Sequence, residues 1–330
     1  MKRRRVVLVA ASLVALVVSG SAAALLTPGR TRVADGPVHL VALNYVAFAY
    51  AVGRSQDDCD HVELWDMAGH GHWRFGRPGP CTNLGSTGAG ISALGVSGKR
   101  VLWVRYNGGN ERDWQLMTAT TTQKTPKQLR FVPQDVELPS PFAIGDSAED
   151  IGIPYADRNE VVLLGENGRA VFKHVDTSRI VAVTAGSGPG NAIVAALRDT
   201  GDVVLLKRNG TVAWTASYPA GAVKAIALAP TGLVVQLGDG SLERRTPAGV
   251  NWTGSLPAKA TMTDYASGHV LYTVGNQIRS LGTGTGRDAL LLTGAAAKVP
   301  TVATIDRRGF AWGRGTTANF TCAGCVGDAW

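Results

Sequence analysis

The stretch VVLLKRNGTVAW, residues 203–214, decides the architecture. Two runs rich in β-branched and apolar residues flank an Asn-Gly pair, and Trp214 closes the second run. Asn and Gly both tolerate positive φ, so the pair predicts a two-residue type I′ turn between antiparallel strands. The unit returns as EVVLLGENGRAVFKH over 160–174 and as GSLERRTPAGVNWTG over 240–254. Its aromatic is Phe172, then Trp214, then Trp252, at separations of 42 and 38 residues. A looser copy, HVELWDMAGHGHWRFG, occupies 61–76.

A hairpin that recurs about every 40 residues, with room for two more strands before each copy, has the spacing of a β-propeller blade. A large side chain at one fixed place in each copy would fill the gap between neighbouring sheets. No amphipathic helical pattern follows residue 36, and 41 Gly residues supply turn punctuation throughout. Inner strands are expected to begin near Val38, Ile91, Phe142, Ile180, Val223, Thr261 and Val302. The fold expected is therefore an all-β propeller of seven four-stranded blades over 36–330. Six blades are the alternative, because the unit at Phe142–Asp150 departs most from the repeat. After TTANFTC (316–322) the last unit has no fourth strand of its own. Residues 25–35 form a linker whose segment Thr31–Asp35 is free to complete that blade and remove an exposed edge.

This organisation resembles the β-propeller repeat superfamilies. The Gly-then-Trp spacing is most similar to quinoprotein-like (PQQ-type) repeats and more loosely to the WD-repeat class. The resemblance implies a fold and leaves function open, since propellers host enzymes, receptors and scaffolds. Quinone enzymes need an acidic base and a Ca²⁺-binding set of oxygens, and no such set can be assigned here. The resemblance thus implies a noncatalytic binding module with no cofactor. The alternatives are an enzyme, either a quinoprotein-like oxidoreductase or a metal-dependent hydrolase using the His pair of the first unit, and an envelope assembly scaffold. The faint Asp-box echo in KRNGTVAW lacks the Asp.

The chain opens with Lys2 and Arg3–Arg5, followed by an apolar run from Val6 to Val18 and small residues to Ala24. This reads as a signal peptide over 1–24, with an uncleaved signal anchor as the rival, and predicts a secreted or extracytoplasmic protein. The formal charge of +8 is partly the leader's. Without residues 1–24 the chain keeps 29 basic residues against 25 acidic ones, a balance of +4. Lys and Arg are scattered along the sequence, so no nucleic-acid partner is expected.

Export makes disulfides the expected state of Cys59, Cys81, Cys322 and Cys325, with Cys59–Cys81 and Cys322–Cys325 the favoured pairs by proximity. The sharpest polar cluster is Cys59, Asp60, His61, Asp66, His70, His72 and Cys81. His70 and His72 alternate, which puts both on one face of a strand and makes them the candidate metal ligands. The competing reading is a polar hairpin loop whose cysteines pair with each other. No catalytic residue is assigned: there is no nucleophile elbow, and the Gly-rich GTGTGRD (282–288) has no following helix to cradle a phosphate. The longest departures from the repeat are 57–90, 107–113 and 120–141. Loops carry recognition on a scaffold of committed strands. Trp73, Arg112 and Trp114, together with His70 and His72, are the candidate binding surface, for a protein or cell-envelope ligand, on a monomer. Membrane contact is expected only through an uncleaved leader.

Overall fold

A computed structural model describes residues 29–44, 47–53, 60–66, 71–76, 90–107, 112–135, 140–147, 151–293, 301–305 and 309–322. These form seven four-stranded antiparallel sheets. The inner strands are Val38–Asn44, Gly90–Ser97, Phe142–Ile144, Ile180–Ala185, Val223–Ala229, Thr261–Ala266 and Thr301–Ile305, and the blades are numbered 1 to 7 in that order. The only helix among the described residues is one 3₁₀ turn, Pro189–Asn191. Six blades are excluded because the Phe142 unit, though its inner strand is only three residues long, carries a full sheet with Ile153–Asp157, Glu160–Leu164 and Ala170–Val175.

Six blades are meanders contiguous in sequence, and the seventh is not. Its three strands Thr301–Ile305, Gly309–Arg314 and Thr317–Cys322 are completed by Arg30–Val33, with Arg30 opposite Phe320 and Val33 opposite Thr317. The strand expected at Thr31–Asp35 thus starts one residue earlier and ends two residues sooner. Asp35 is left in the link to blade 1.

Four antiparallel strands return the chain to the end of the ring where it began, so all inner strands run the same way. The end where they start, the entry end, carries the blade-to-blade links and the turns between second and third strands. The end where they finish, the exit end, carries the other turns. Gly29, before the closing strand, and Thr321, at the end of the last one, lie together at the exit end.

The core is divided between neighbouring sheets. Seven apolar clusters fill the seven junctions, one per pair of adjacent blades. Phe172, Trp214 and Trp252 lie in the junctions between blades 3 and 4, 4 and 5, and 5 and 6. Their partners across the hairpin are Leu163, Leu205 and Arg244, and in blade 1 the equivalent pair is Leu64 and Trp73. The aromatic period is therefore the period of the junctions.

The hairpin turns differ from the type I′ expectation. Gly168 and Gly210 have φ of 79°, while Asn167 and Asn209 are not among the positive-φ residues. The ladder shifts register after Leu163 and after Leu205. A type I′ turn needs both central residues at positive φ; here one left-handed Gly and a bulge do the work. Asn is favoured for another reason: its Oδ1 accepts the amide of the residue two further on, Arg169 at 2.9 Å and Thr211 at 3.1 Å.

Blades converge toward the ring's axis, so the inner strands approach backbone to backbone. Gly145 and Gly186 sit where this is closest. A Cβ on Gly145 would collide with the carbonyl oxygen of Val183, and one on Gly186 with that of Leu228. We expect Gly145→Ala to lower stability by about 1–3 kcal/mol or more, since backbone must move. Gly284→Ala, where a Cβ meets nothing within 4 Å, is expected to stay within about 0.5 kcal/mol. Urea unfolding midpoints of the two variants check this, and equal midpoints would refute it.

Candidate functional site

Period-two alternation places His61 and Glu63 on one face of the third strand of blade 1, His61–Asp66. Tyr50 lies directly opposite Glu63 on the second strand, and Arg74 directly opposite it on the fourth. His72 pairs with Trp65 and shares this face. The face is turned toward blade 7, where Phe48, Tyr50, Val52 and Trp65 pack against Ala311 and Ala318. The polar cluster of blade 1 is thus built into the junction where the ring closes.

Glu63 is its centre. Tyr50 Oη donates to Glu63 Oε2 at 2.6 Å, His72 Nε2 lies 2.7 Å from the same oxygen, and His61 Nε2 lies 3.0 Å from Oε1. Arg74 reaches Asp35 Oδ2 at 2.5 Å with one nitrogen and His61 Nδ1 at 3.3 Å with another. An arginine only donates, so His61 Nδ1 accepts and its Nε2 carries the proton, facing Glu63 Oε1 and Asp35 Oδ1 at 3.4 Å. Arg32 of the closing strand lies over Trp65 at 5.3 Å. Through Asp35 and Arg32 the N-terminal segment is held by side chains of blade 1 as well as by the ladder of blade 7.

The electrostatics follow from this geometry. Burial alone pushes the Glu63 carboxyl up, but hydrogen bonds from His61, His72 and Tyr50 outweigh it and hold the group well below the usual carboxylate range. Tyr50 is pushed far up by burial and by the Glu63 charge. Neither group is poised near neutrality, so the pair is unsuited to general acid–base work.

Asp35, His61 and Glu63 each present a ligand atom, all within 4.8 Å of one another. The same atoms are engaged by one another and by the Arg74 guanidinium, which already places a cation beside Asp35, so as arranged the set reads as a seam lock. His70 lies outside the described residues, so the His70–His72 pair has no described geometry.

The other candidates separate. Trp114 is 3% exposed and packs on Tyr106, ring centroids 5.7 Å apart, in the junction of blades 2 and 3. Its polar neighbours in sequence suggested a recognition residue; strand alternation instead turns it inward. Trp73 is half-buried against the blade 1–2 core. Arg112 begins a third strand in register with Asp135, and its side chain is outside the description. Cys59, Cys81 and Cys325 lie outside the described residues. Cys322 ends the last strand, with its side chain likewise outside the description.

A second polar joint links blades 1 and 2. Buried Asp60 accepts the Ile91 amide at 3.2 Å, and His39 Nε2 lies 3.6 Å from the same carboxylate oxygen. His39 Nδ1 is buried with no hydrogen-bond partner among the described residues. Burial holds the His39 imidazolium below its ordinary pKa despite the carbonyls around it. Of the sequence cluster, His61 and His72 join the network and Asp60 the second joint, whereas Glu63, Tyr50, Arg74 and Asp35 were missed. Glu63 stands on the same strand as His61; the other three come from other strands and from outside the repeat.

No family model matches the chain, and no curated protein matches it in sequence. Solved structures do. A chain of the mitotic checkpoint complex superposes with a TM-score of 0.57 at 14% identity, over 89% of this chain and 91% of that one. The WD40 β-propeller domain of Doa1 superposes with a TM-score of 0.56 at 12% identity, over 89% and 95%. At these identities the likeness is one of fold. The quinoprotein-like likeness of the hairpins gains nothing from these neighbours, which are propellers of the WD40 kind.

Glu63→Gln keeps the shape and removes the charge that three donors serve. Hydrogen bonds to charged groups contribute about 1.5–3 kcal/mol each, so we expect a loss of at least about 2 kcal/mol at neutral pH. Because the folded-state pKa of Glu63 is depressed, its contribution is complete above the unfolded value near 4.3 and fades as pH falls below that. The melting-temperature gap between wild type and variant should therefore narrow below about pH 4. A gap that stays constant or widens there would show that Glu63 does not hold this charge.

Proposed function

We propose that this chain is an exported, noncatalytic propeller that binds a protein or cell-envelope ligand at the entry end of the ring, through blades 1 to 3. One observation carries the reading. The described strands flanking 54–59, 77–89, 108–111 and 136–139 all start or finish at the entry end. Of the longest departures from the repeat, the parts 54–59, 77–89, 108–111 and 136–139 thereby fall at one end of three adjacent blades, while the turns after Asp66 and at 121–126, with His72 and Trp73 beside the first, fall at the other. Several later turns at the entry end are short, such as Gly238–Gly240 and Gly275–Asn276.

Three considerations support the reading. A connection carries recognition because the strands beneath it are committed to packing. The Glu63 cluster, the most extensive polar cluster described, is closed on itself. The neighbours in fold include a chain of a multi-component complex and a WD40 domain, which accords with an interaction module. Export rests on the basic, apolar and small-residue run of 1–24, with a membrane anchor as the outcome when that run is not removed. Cys59–Cys81 and Cys322–Cys325 are the disulfides that export would bring.

Photo-crosslinking in producing cells tests the site. A photoreactive residue at Asn83 or Asn110 is expected to give discrete protein or glycan adducts, and one at Thr231 or Ala248, on the exit end, is expected to give none of these. Adducts confined to the exit-end positions would overturn the assignment.

A further inference from the structure

Basic residues that are scattered in sequence converge in space. The turn between third and fourth strands carries one in blade 2 (Lys124), blade 3 (Arg169), blade 4 (Arg208) and blade 6 (Arg287), all exposed. Lys99, in the first turn of blade 2, and Lys127 join them on the same end and are also exposed. In blade 7 the equivalent place is taken by the start of the closing strand, at Arg30. This is the exit end. Described acidic residues there are fewer: Glu166 accepts the Lys99 amide at 3.0 Å, Asp288 is bound by Arg279 at 3.1 Å, and Asp66 and Asp146 follow at the ends of their strands. The entry end is mixed in charge, its acids Asp35, Asp157, Glu160 and Asp176 being paired with Arg74, Arg130, Lys173 and Arg198.

We infer that the exit end docks flat on an anionic lipid bilayer and that the entry end, mixed in charge, faces away from it. The occupant follows from three facts together. The end is basic across several blades, whereas a short peptide would contact one. The closing strand starts there, and the stretch Val6–Leu26 that an uncleaved leader would place in the bilayer ends four residues before Arg30. An extended link of that length spans only about 14 Å, so an uncleaved segment would hold this end, and no other, against the membrane. Finally, each basic residue held near an anionic surface strengthens attachment about fivefold, so basic residues spread over several blades act together on a flat bilayer. The inference rests on the export reading only for which membrane is met; the charged end itself belongs to the fold.

The test uses the exported chain as recovered from cells, mixed with phosphatidylglycerol-containing vesicles or with pure phosphatidylcholine vesicles, and labelled with an amine-reactive reagent. On anionic vesicles Lys99, Lys124 and Lys127 are expected to lose reactivity several-fold while Lys259, on the entry end, does not. Molar salt should abolish the protection. Lys124→Gln, Arg169→Gln and Arg208→Gln should each weaken vesicle binding about fivefold, since one basic residue near such a surface contributes about that factor. Equal protection at both ends, indifference to lipid charge, or protection by duplex DNA but not by vesicles would overturn the inference. Cell fractionation is read separately. A cytoplasmic chain would sink the export reading, whereas an exported chain without exit-end protection would sink only this one.

Discussion

The pairing of Arg30–Val33 with Thr317–Phe320 is the constraint on which the rest depends. Each junction core is formed between two sheets, and neither sheet can bury its face alone. A ring of such junctions has no weak terminus only if the last blade is complete and seated against the first. The chain achieves this with four residues taken from its opposite end. Without them, the third strand of blade 7 would become an unpaired edge, the kind of edge that invites association.

The polar cluster of blade 1 makes sense as part of that closure. A hydrophobic junction is non-directional and would accept the closing segment in more than one register. Hydrogen bonds are directional, and leaving buried partners unmatched is costly. Asp35 meets Arg74 and His61 only in the observed register, because it follows the closing strand by two residues. Glu63 in turn fixes His61 and His72. The junction of blades 7 and 1 is the one place where chain connectivity does not help, and it is where this network is concentrated. Elsewhere smaller sets of stitches suffice, such as Gln236 accepting the Met262 amide at 2.8 Å and donating to the Ala260 carbonyl, and Asp264 accepting the Ile305 amide at 2.9 Å and the Thr304 hydroxyl.

Much of the fold was legible because its determinants are local and repeated. Turns on Asn-Gly in blades 3 and 4 and on Ala-Gly in blade 5, alternating strands and an aromatic at one offset recur, and the inner-strand starts fell within one residue of those observed. The turn type was misjudged because Asn can serve either by adopting positive φ or by accepting an amide; only the backbone distinguishes them. The site was half legible. His61, Asp60 and His72 stand in one stretch, and their proximity is visible in the sequence. Glu63 follows His61 by strand alternation, but Tyr50, Arg74 and Asp35 join them through strand register and ring closure, which no spacing encodes. Trp114 shows the converse: polar neighbours in sequence do not expose a side chain whose strand parity turns it inward. The gathering of Lys124, Arg169 and Arg208 at one end was likewise hidden, because it depends on every blade presenting the same turn to the same side.

Native-state hydrogen exchange of the closing segment tests the closure most directly. If the ring is closed as described, amides within 30–34 and within 317–320 are protected together and open with the same free energy, comparable to that of the inner strands of blades 1 and 7. Exchange of 30–34 within seconds, while 317–320 and the other blades remain protected, would show that the N-terminal strand is not the seventh blade's fourth strand and would contradict the account.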